Sequence, residues 1–167
     1  MSKSKKFVVP DHPWNSDDNT AEIITAVSKG EGVRKILETG TCLGKTSLAL
    51  AEAGFEVVTV DPEETILPEV RNHPNIEFVK GTVKDIQPGG FDAAFIDGDH
   101  SYQGVSTDFK ACEQLNIPLI FIHDCFGIAS VFNFIMEQDS NPHYRCMLVK
   151  TRHPAGHMNG IAIFKRK

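Results

Sequence analysis

The feature that most constrains this chain is the regular alternation of short apolar runs with segments of helical periodicity. Five such runs, each apolar or rich in β-branched residues, recur about every twenty residues. They are Arg34–Glu38, Phe55–Val60, Asn75–Lys80, Phe91–Ile96 and Pro118–Ile122. Strands that alternate with helices in this way form βαβ units, and their parallel sheet is buried on both faces. The alternation therefore predicts an α/β fold.

The last two apolar runs differ because no helical segment separates them. They span Tyr144–Lys150 and Gly160–Lys165, and about nine residues join them, fewer than the dozen or more that a parallel crossover needs. We therefore expect these two strands to pair antiparallel.

Helix signals fill the gaps between the strands. Asn19 and Glu22 have the spacing of a capping box with Asn19 as the predicted N-cap, and Gly30 is placed to end the helix that follows. The other predicted helices are Leu43–Ala53, a short helix interrupted by Pro68, Val105–Leu115 and Ile128–Gln138.

The segment Arg34–Ser47 reads as strand, glycine turn and helix. Its turn lies between Gly40 and Gly44. A glycine turn before a helix N-terminus lets backbone N–H groups approach a ligand closely. The segment predicts a site for carboxylates, hydroxyls or phosphates at the carboxyl end of the strand.

The turn matches two known phosphate-binding motifs only in part. A P-loop has four residues between its glycines, whereas three separate Gly40 from Gly44, and Glu38 would repel a bound phosphate. A P-loop-like nucleotide-binding protein nevertheless stays open as an alternative. In the dinucleotide fingerprint a glycine stands where this chain has Cys42. That difference favours a ligand with a ribose and a zwitterion over one with a pyrophosphate.

Asp61 ends the second predicted strand, about twenty residues beyond the glycine turn, where an acidic residue accepts hydrogen bonds from ribose hydroxyls. Asp before Pro62 also suits the start of a helix. With the glycine turn upstream, we favour ribose binding.

Acidic and imidazole side chains follow two strands that should lie at the same edge of the sheet. Asp97 and His100 follow the fourth strand, and His123 and Asp124 follow the fifth. Asp97 and Asp124 could hold a hard cation through their oxygens, and His100 could accept a proton from a substrate hydroxyl. Taken singly, each residue is more simply a cap or a structural histidine; together they indicate a site.

Composition and charge limit the classes of partner that this chain is expected to bind. The net charge of −5 argues against general nucleic-acid binding, and no window approaches the length of a membrane span. The four cysteines have no C-x-x-C spacing, which favours a reduced, cytoplasmic protein. A small-molecule partner is expected, and the oligomeric state is open, a homo-oligomer included.

Several of these motifs together resemble the class I S-adenosylmethionine (SAM)-dependent methyltransferases. More narrowly, they are similar to the group of macrocin-type sugar O-methyltransferases and cephalosporin-hydroxylase-like proteins. The residues that carry the resemblance are Glu38-Thr39-Gly40-Thr41-x-x-Gly44-x-Thr46, Val60-Asp61, Phe91-Asp92-x-x-Phe95-Ile96-Asp97-Gly98-Asp99-His100-Ser101-Tyr102 and His123-Asp124.

The resemblance implies a Rossmann-like three-layer αβα sandwich with a mostly parallel seven-stranded sheet and an antiparallel last strand. It implies methyl transfer from SAM to an oxygen of a small polar acceptor, with His100 as the general base. The implied metal ligands for Mg²⁺ or another divalent cation are Asp97, His123 and Asp124. The implied cofactor-binding residues are Glu38, Gly40, Thr41, Gly44, Thr46, Asp61, Gly81, Thr82 and Asp97. A cofactor-binding module that has lost its activity is a further alternative.

Two segments complete the expected organisation. Residues 1–18 would form an N-terminal arm or lid before a single domain at residues 19–167. In the arm, Phe7–Val9 could anchor the segment to the domain. For Trp14 we favour packing on the core over closure above a ligand, because isolated aromatic residues usually serve packing. His153 and His157, in the loop before the last strand, are interpreted as polar loop residues.

Overall fold

The structure is a computed structural model that describes residues 7–11, 18–152 and 158–167. Trp14, His153 and His157 lie outside the described residues. The sheet has seven strands: β1 (Lys35–Thr39), β2 (Glu56–Asp61), β3 (Ile76–Lys80), β4 (Ala93–Ile96), β5 (Leu119–Ile122), β6 (Tyr144–Arg152) and β7 (Met158–Arg166).

In the described part of the chain, five α-helices flank the sheet: α1 (Asp18–Gly30), α2 (Lys45–Glu52), α3 (Pro68–Arg71), α4 (Tyr102–Gln114) and α5 (Ala129–Glu137). The same residues also contain two 3₁₀ turns, Val83–Asp85 and Gln138–Ser140. Two local predictions were wrong. Helix α1 begins at Asp18, so Asn19 lies inside the helix rather than at its N-cap. Pro68 begins α3 rather than interrupting a helix, because proline's fixed φ and missing N–H suit a first turn.

The strand order is β3-β2-β1-β4-β5-β7-β6. The first five strands in chain order are parallel to one another, and β7 is antiparallel to both β5 and β6. The predicted sheet with its antiparallel last strand is therefore confirmed. Chain connections leave β1 for β2 on one side and reach β4 on the other, so the carboxyl end of β1 is the topological switch point.

The core forms two layers, one on each face of the sheet. Successive residues of β4 alternate between them: Ala94 and Ile96 pack on the face of α4 and α5, and Ala93 and Phe95 pack on the face of α1, α2 and α3. This alternation follows from the two-residue period of a strand and confirms the three-layer sandwich.

Within the described residues 7–11 of the N-terminal segment, Val9 packs into this core. Val9 is 5% exposed and belongs to the layer that contains α1 and α2, whereas Phe7 and Val8 are exposed. The division into an arm at 1–18 and a domain at 19–167 remains a prediction. Among the described residues, no helix is both long and apolar enough to span a membrane, and none of the four cysteines forms a disulfide.

Candidate functional site

A cavity of about 650 Å³ opens at the switch point. Because parallel strands end at one edge of the sheet, it collects residues that are far apart in the sequence. Eight of the nine predicted cofactor-binding residues line it, as does His100: Glu38, Gly40, Thr41, Thr46, Asp61, Gly81, Thr82 and Asp97. Gly44 is the exception.

Glycine is required at the two ends of the turn for different structural reasons. Gly40 has φ 89°, and a Cβ there would lie 2.3 Å from the carbonyl oxygen of Asp97, so only glycine lets the two chain segments meet. Gly44 has φ 84°, and a Cβ there would lie 2.7 Å from Cγ1 of Val70 on α3. Gly44 thus serves the entry into α2 and its packing on α3, which explains why it does not line the cavity.

Asp61 holds the glycine turn in place. Its Oδ2 accepts hydrogen bonds from the backbone N–H groups of Thr41 (2.9 Å) and Cys42 (3.2 Å), and its Oδ1 accepts one from Glu63 (2.9 Å). The contact with Glu63 closes a local turn and not a helix start, because α3 begins only at Pro68; the interpretation of Asp61 as a helix cap was therefore wrong. The bonds to the turn were not foreseen, and they fix the carboxylate at the cavity wall.

Glu38 is a buried carboxylate at the end of β1. It is 1% exposed, and the hydroxyl of Ser47 on α2 donates a hydrogen bond to its Oε2. Burial raises the pKa of Glu38 to about 7, against the opposing effect of the Ser47 bond, because a buried charge loses its hydration. The carboxyl group therefore changes its charge near neutral pH.

Gly81 and Thr82 lie where the chain leaves β3. Thr82 caps the following 3₁₀ turn: its backbone N–H donates to Oδ2 of Asp85 at 2.8 Å. This cap positions Gly81 and Thr82 on the cavity wall that also contains Asp61.

Asp97, His100, His123 and Asp124 form one connected cluster, as expected from adjacent strand ends. Nε2 of His100 lies 3.3 Å from Oδ1 of Asp97 and 3.2 Å from Oδ2 of Asp124. Nδ1 of His123 lies 2.8 Å from the same Oδ1 of Asp97. His100 reaches the cavity, whereas His123 is buried behind it.

The electrostatics of the cluster favour an ionised Asp97 beside a basic His100. The hydrogen bond to Asp97 raises the pKa of His100, although burial opposes this shift. Burial alone would raise the pKa of Asp97, but its interactions with His123 and His100 outweigh that effect and hold the pKa below its ordinary value.

The donor atoms that could share a metal ion are supplied by Asp97, His100 and Asp124, and they lie within 4.8 Å of one another. The predicted set contained His123 instead of His100. The structure places His123 with Nδ1 on Asp97 and with Nε2 at 3.3 Å from the side-chain amide of Asn159, so its ring is directed at the cluster from behind.

Sequence reasoning missed several residues of the site. Asn159 on β7 donates to Oδ1 of Asp124 at 2.6 Å. Thr59 bonds to Thr41 through their hydroxyls at 2.6 Å, and Asp108 of α4 lines the cavity. A periodicity argument could have directed Asp108 towards the sheet, since Val105, Phe109 and Cys112 mark the buried face of α4. No local motif marks Asn159 or Thr59.

The fold and the cavity define an α/β protein with a ligand site at the switch point of its sheet. The model of one family, described as a methyltransferase domain, matches residues 37–125, just over half of the chain. The chain therefore belongs to this methyltransferase family, and it is a SAM-dependent methyltransferase of class I. No curated protein matches the sequence significantly.

Solved structures of methyltransferases share the fold. An O-methyltransferase from Bacillus cereus, in complex with S-adenosylhomocysteine (SAH), has a TM-score of 0.77 at 19% identity, covering 95% of this chain and 84% of that one. The O-methyltransferase TomG from Streptomyces achromogenes, involved in tomaymycin synthesis and bound to SAM, has a TM-score of 0.76 at 19% identity, covering 92% and 82%.

A third similar structure belongs to an enzyme that, by its name, methylates nitrogen rather than oxygen. The 1,6-didemethyltoxoflavin-N1-methyltransferase from Burkholderia thailandensis has a TM-score of 0.68 at 17% identity, covering 90% of this chain and 79% of that one. By their names these proteins methylate oxygen or nitrogen. Likeness of fold therefore does not select the acceptor atom, and the choice has to rest on the side chains of the site.

Proposed function

We propose that this methyltransferase transfers the methyl group of SAM to a hydroxyl oxygen of a small polar acceptor. The observation that carries the proposal is the position of His100, whose Nε2 lies between two carboxylates at the edge of the cavity. A sulfonium methyl group is already electrophilic, so the protein's tasks are to align the acceptor and to remove its proton.

The charge of the cavity supports SAM over a polyphosphate ligand. Besides Lys45, six acidic residues line it: Glu38, Asp61, Glu63, Asp97, Asp99 and Asp108. Such a wall attracts a sulfonium and an ammonium group and repels phosphates. Calorimetry with SAH and with ATP tests this assignment. We expect binding of SAH alone, and tight binding of ATP without SAH would favour the P-loop-like alternative.

Within the cavity we assign the cofactor as the family resemblance implies. Asp61 would accept the ribose hydroxyls, Gly81 and Thr82 would flank the adenine, and Glu38, Gly40, Thr41, Thr46 and Asp97 would surround the methionine end. The assignment is supported by the fact that all of these residues line the same cavity.

Replacing Asp61 with alanine should weaken SAH binding about ten- to a hundredfold. The change removes an acceptor for the ribose and also frees the backbone N–H groups of Thr41 and Cys42, and bonds to a charged group are each worth about 1.5–3 kcal/mol. Calorimetry measures the affinity. Glu77→Ala, an exposed carboxylate on neighbouring β3, is the control and should bind normally. Equal affinities for the two variants would refute the assignment.

A divalent cation, Mg²⁺ or another, is the second part of the proposal. The donor set fits one: two carboxylate oxygens and an imidazole nitrogen face a common point, with separations of 3.2 and 3.3 Å. Asp97 and Asp124 would hold the ion, while His100, the third member of the donor set, keeps its Nε2 for the proton of the acceptor. A bound cation would lower the pKa of a coordinated hydroxyl and orient it.

Mn²⁺ affinity distinguishes the two roles of His100, since one lone pair on Nε2 cannot bind a cation and accept a proton at once. If His100 is the base beside an ion held by the two carboxylates, EDTA should lower turnover, and His100→Ala should lose turnover while it keeps Mn²⁺ affinity. If His100 is a ligand, His100→Ala should lose Mn²⁺ affinity as well. We expect the first result, and a loss of Mn²⁺ affinity in His100→Ala would overturn the base assignment.

The acceptor class is tested with radiolabelled SAM. We expect label to enter small hydroxylated compounds, such as sugars and phenols, and not total RNA, in keeping with the net charge of −5. Label in RNA or protein, with none in small hydroxylated compounds, would contradict a small polar acceptor.

A further inference from the structure

Strand β7 continues past the end of its neighbour β5. The two strands pair from Leu119–Lys165 to Ile122–Ala162, while β7 begins at Met158. The first residues of β7 therefore stand beside the turn that follows β5, and the N–H of Cys125 in that turn donates to the carbonyl of Gly160 at 3.2 Å. This extension brings Asn159 to the acid and imidazole cluster.

The side chain of Asn159 is buried, with 5% exposure, and all its polar atoms are engaged. Its Oδ1 accepts the N–H of Gly160 at 2.8 Å. Its Nδ2 lies 2.6 Å from Oδ1 of Asp124 and 3.3 Å from Nε2 of His123. The opposite amide orientation would place an oxygen against the Asp124 carboxylate and an NH₂ against a backbone N–H, so chemistry fixes the assignment.

An amide NH₂ has two hydrogens and no acceptor. A nitrogen of His123 that accepts from it cannot carry a proton, so the proton of the neutral ring resides on Nδ1. Nδ1 then donates to Oδ1 of Asp97 at 2.8 Å. The same NH₂ holds Oδ1 of Asp124, which leaves Oδ2 directed at His100, 3.2 Å away.

The backbone of Asp124 gives independent support. Its φ is 57°, a left-handed conformation that costs a non-glycine residue free energy and persists where the surroundings hold it. The Asn159 amide and the bond from Cys125 to Gly160 are contacts that hold it. Gly127 leaves the necessary space, since a Cβ there would lie 3.3 Å from Oδ1 of Asn159.

We propose that Asn159 is a positioning residue that fixes the tautomer of His123 and the orientation of Asp124 from the last strand. The inference rests on the proposed function, because it concerns the carboxylates that would hold the cation and the histidine that would take the proton. Asn159 itself acts through these residues and does not line the cofactor cavity.

The ring nitrogens of His123 provide the first test. In ¹⁵N-histidine-labelled protein, we expect the wild-type spectrum to show His123 protonated on Nδ1. Asn159→Asp keeps the size of the side chain but presents only acceptors, so protonation should appear on Nε2. Asn159→Ala removes the partner of Nε2 and should give a mixture of tautomers. A wild-type spectrum with the proton on Nε2, or an unchanged spectrum in a folded variant, would overturn the inference.

Cation affinity provides the second test, with Mn²⁺ alone as the probe. Asn159→Ala should weaken Mn²⁺ binding about ten- to a hundredfold, the usual effect of removing a partner of a ligating side chain, while SAH affinity stays within about twofold of wild type. Met158→Ala, which alters an exposed neighbour on β7, is the control and should leave both affinities unchanged. Wild-type Mn²⁺ affinity in folded Asn159→Ala would refute the positioning of Asp124.

The two tests separate this inference from the function on which it rests. Wild-type protein that binds SAH but no Mn²⁺ would refute the cation site and, with it, the positioning of a cation ligand, while the His123 spectra would still decide the tautomer. Wild-type protein that binds no SAH would refute the assignment of the cavity, whatever the spectra show.

Discussion

Replacing His100 with alanine should lower turnover about a hundred- to ten-thousandfold, the range that a positioned general base contributes, while SAM affinity stays within about twofold. The imidazole lies between Asp97 and Asp124 at the edge of the cavity, so its removal deletes the proton acceptor and leaves the nucleoside-binding wall intact. Turnover of labelled SAM and calorimetry measure the two quantities.

His143→Ala is the matched control, because His143 is exposed and lies outside the cavity. It should retain wild-type turnover. Free imidazole should partly restore His100→Ala, since a proton acceptor can diffuse into the space that the ring vacates. Full activity of His100→Ala would refute the base assignment, and a parallel loss of SAM affinity would indicate that His100 supports the cofactor instead.

Replacing Glu38 with glutamine should stabilise the protein at alkaline pH by about 3 kcal/mol. The buried carboxyl has a pKa of about 7 against an ordinary value of 4.5, and each pKa unit corresponds to about 1.4 kcal/mol. A raised pKa in the folded state contributes stability that is complete below pH 4.5 and is lost as the pH rises through about 7. Glutamine is neutral throughout and avoids that loss.

Urea unfolding at pH 5 and pH 8.5 is the measurement. The free energies of unfolding of wild type and Glu38→Gln should be similar at pH 5 and diverge at pH 8.5, with the variant more stable. Glu56→Gln, an exposed carboxylate at the start of β2, should follow the wild type. Parallel pH dependences for wild type and Glu38→Gln would show that Glu38 ionises normally in the folded protein.

Most of the sheet was predictable because its strands are short, buried and regularly spaced. Val57–Val60 and Ala93–Ile96 are apolar and β-branched runs that only a strand buried on both faces explains, and the short loop before β7 required antiparallel pairing. The helix starts were less predictable. Asp18 and Asn19 are both residue types that favour helix starts, so local sequence does not decide where the helix begins.

The meeting of Asp97 with Asp124 also followed from topology, since both residues end adjacent parallel strands. The contribution of Asn159 did not, because it depends on how far β7 extends beyond β5, and strand length is set by tertiary packing. His100 replaces His123 in the predicted donor set because His123 is buried, and that burial likewise depends on tertiary packing. Spacing placed both histidines at the strand ends, but only the packed structure shows which ring reaches the cavity.

The contact between Gly40 and the carbonyl of Asp97 makes the two halves of the site mechanically dependent. The turn assigned to the nucleoside and the strand end that presents the proton-handling residues touch through backbone atoms, with no compressible side chain between them. A shift of the turn on ligand entry would therefore have to displace the backbone of Asp97 as well. If it does, thermodynamic reciprocity requires that occupation of either half change the affinity of the other by the same factor.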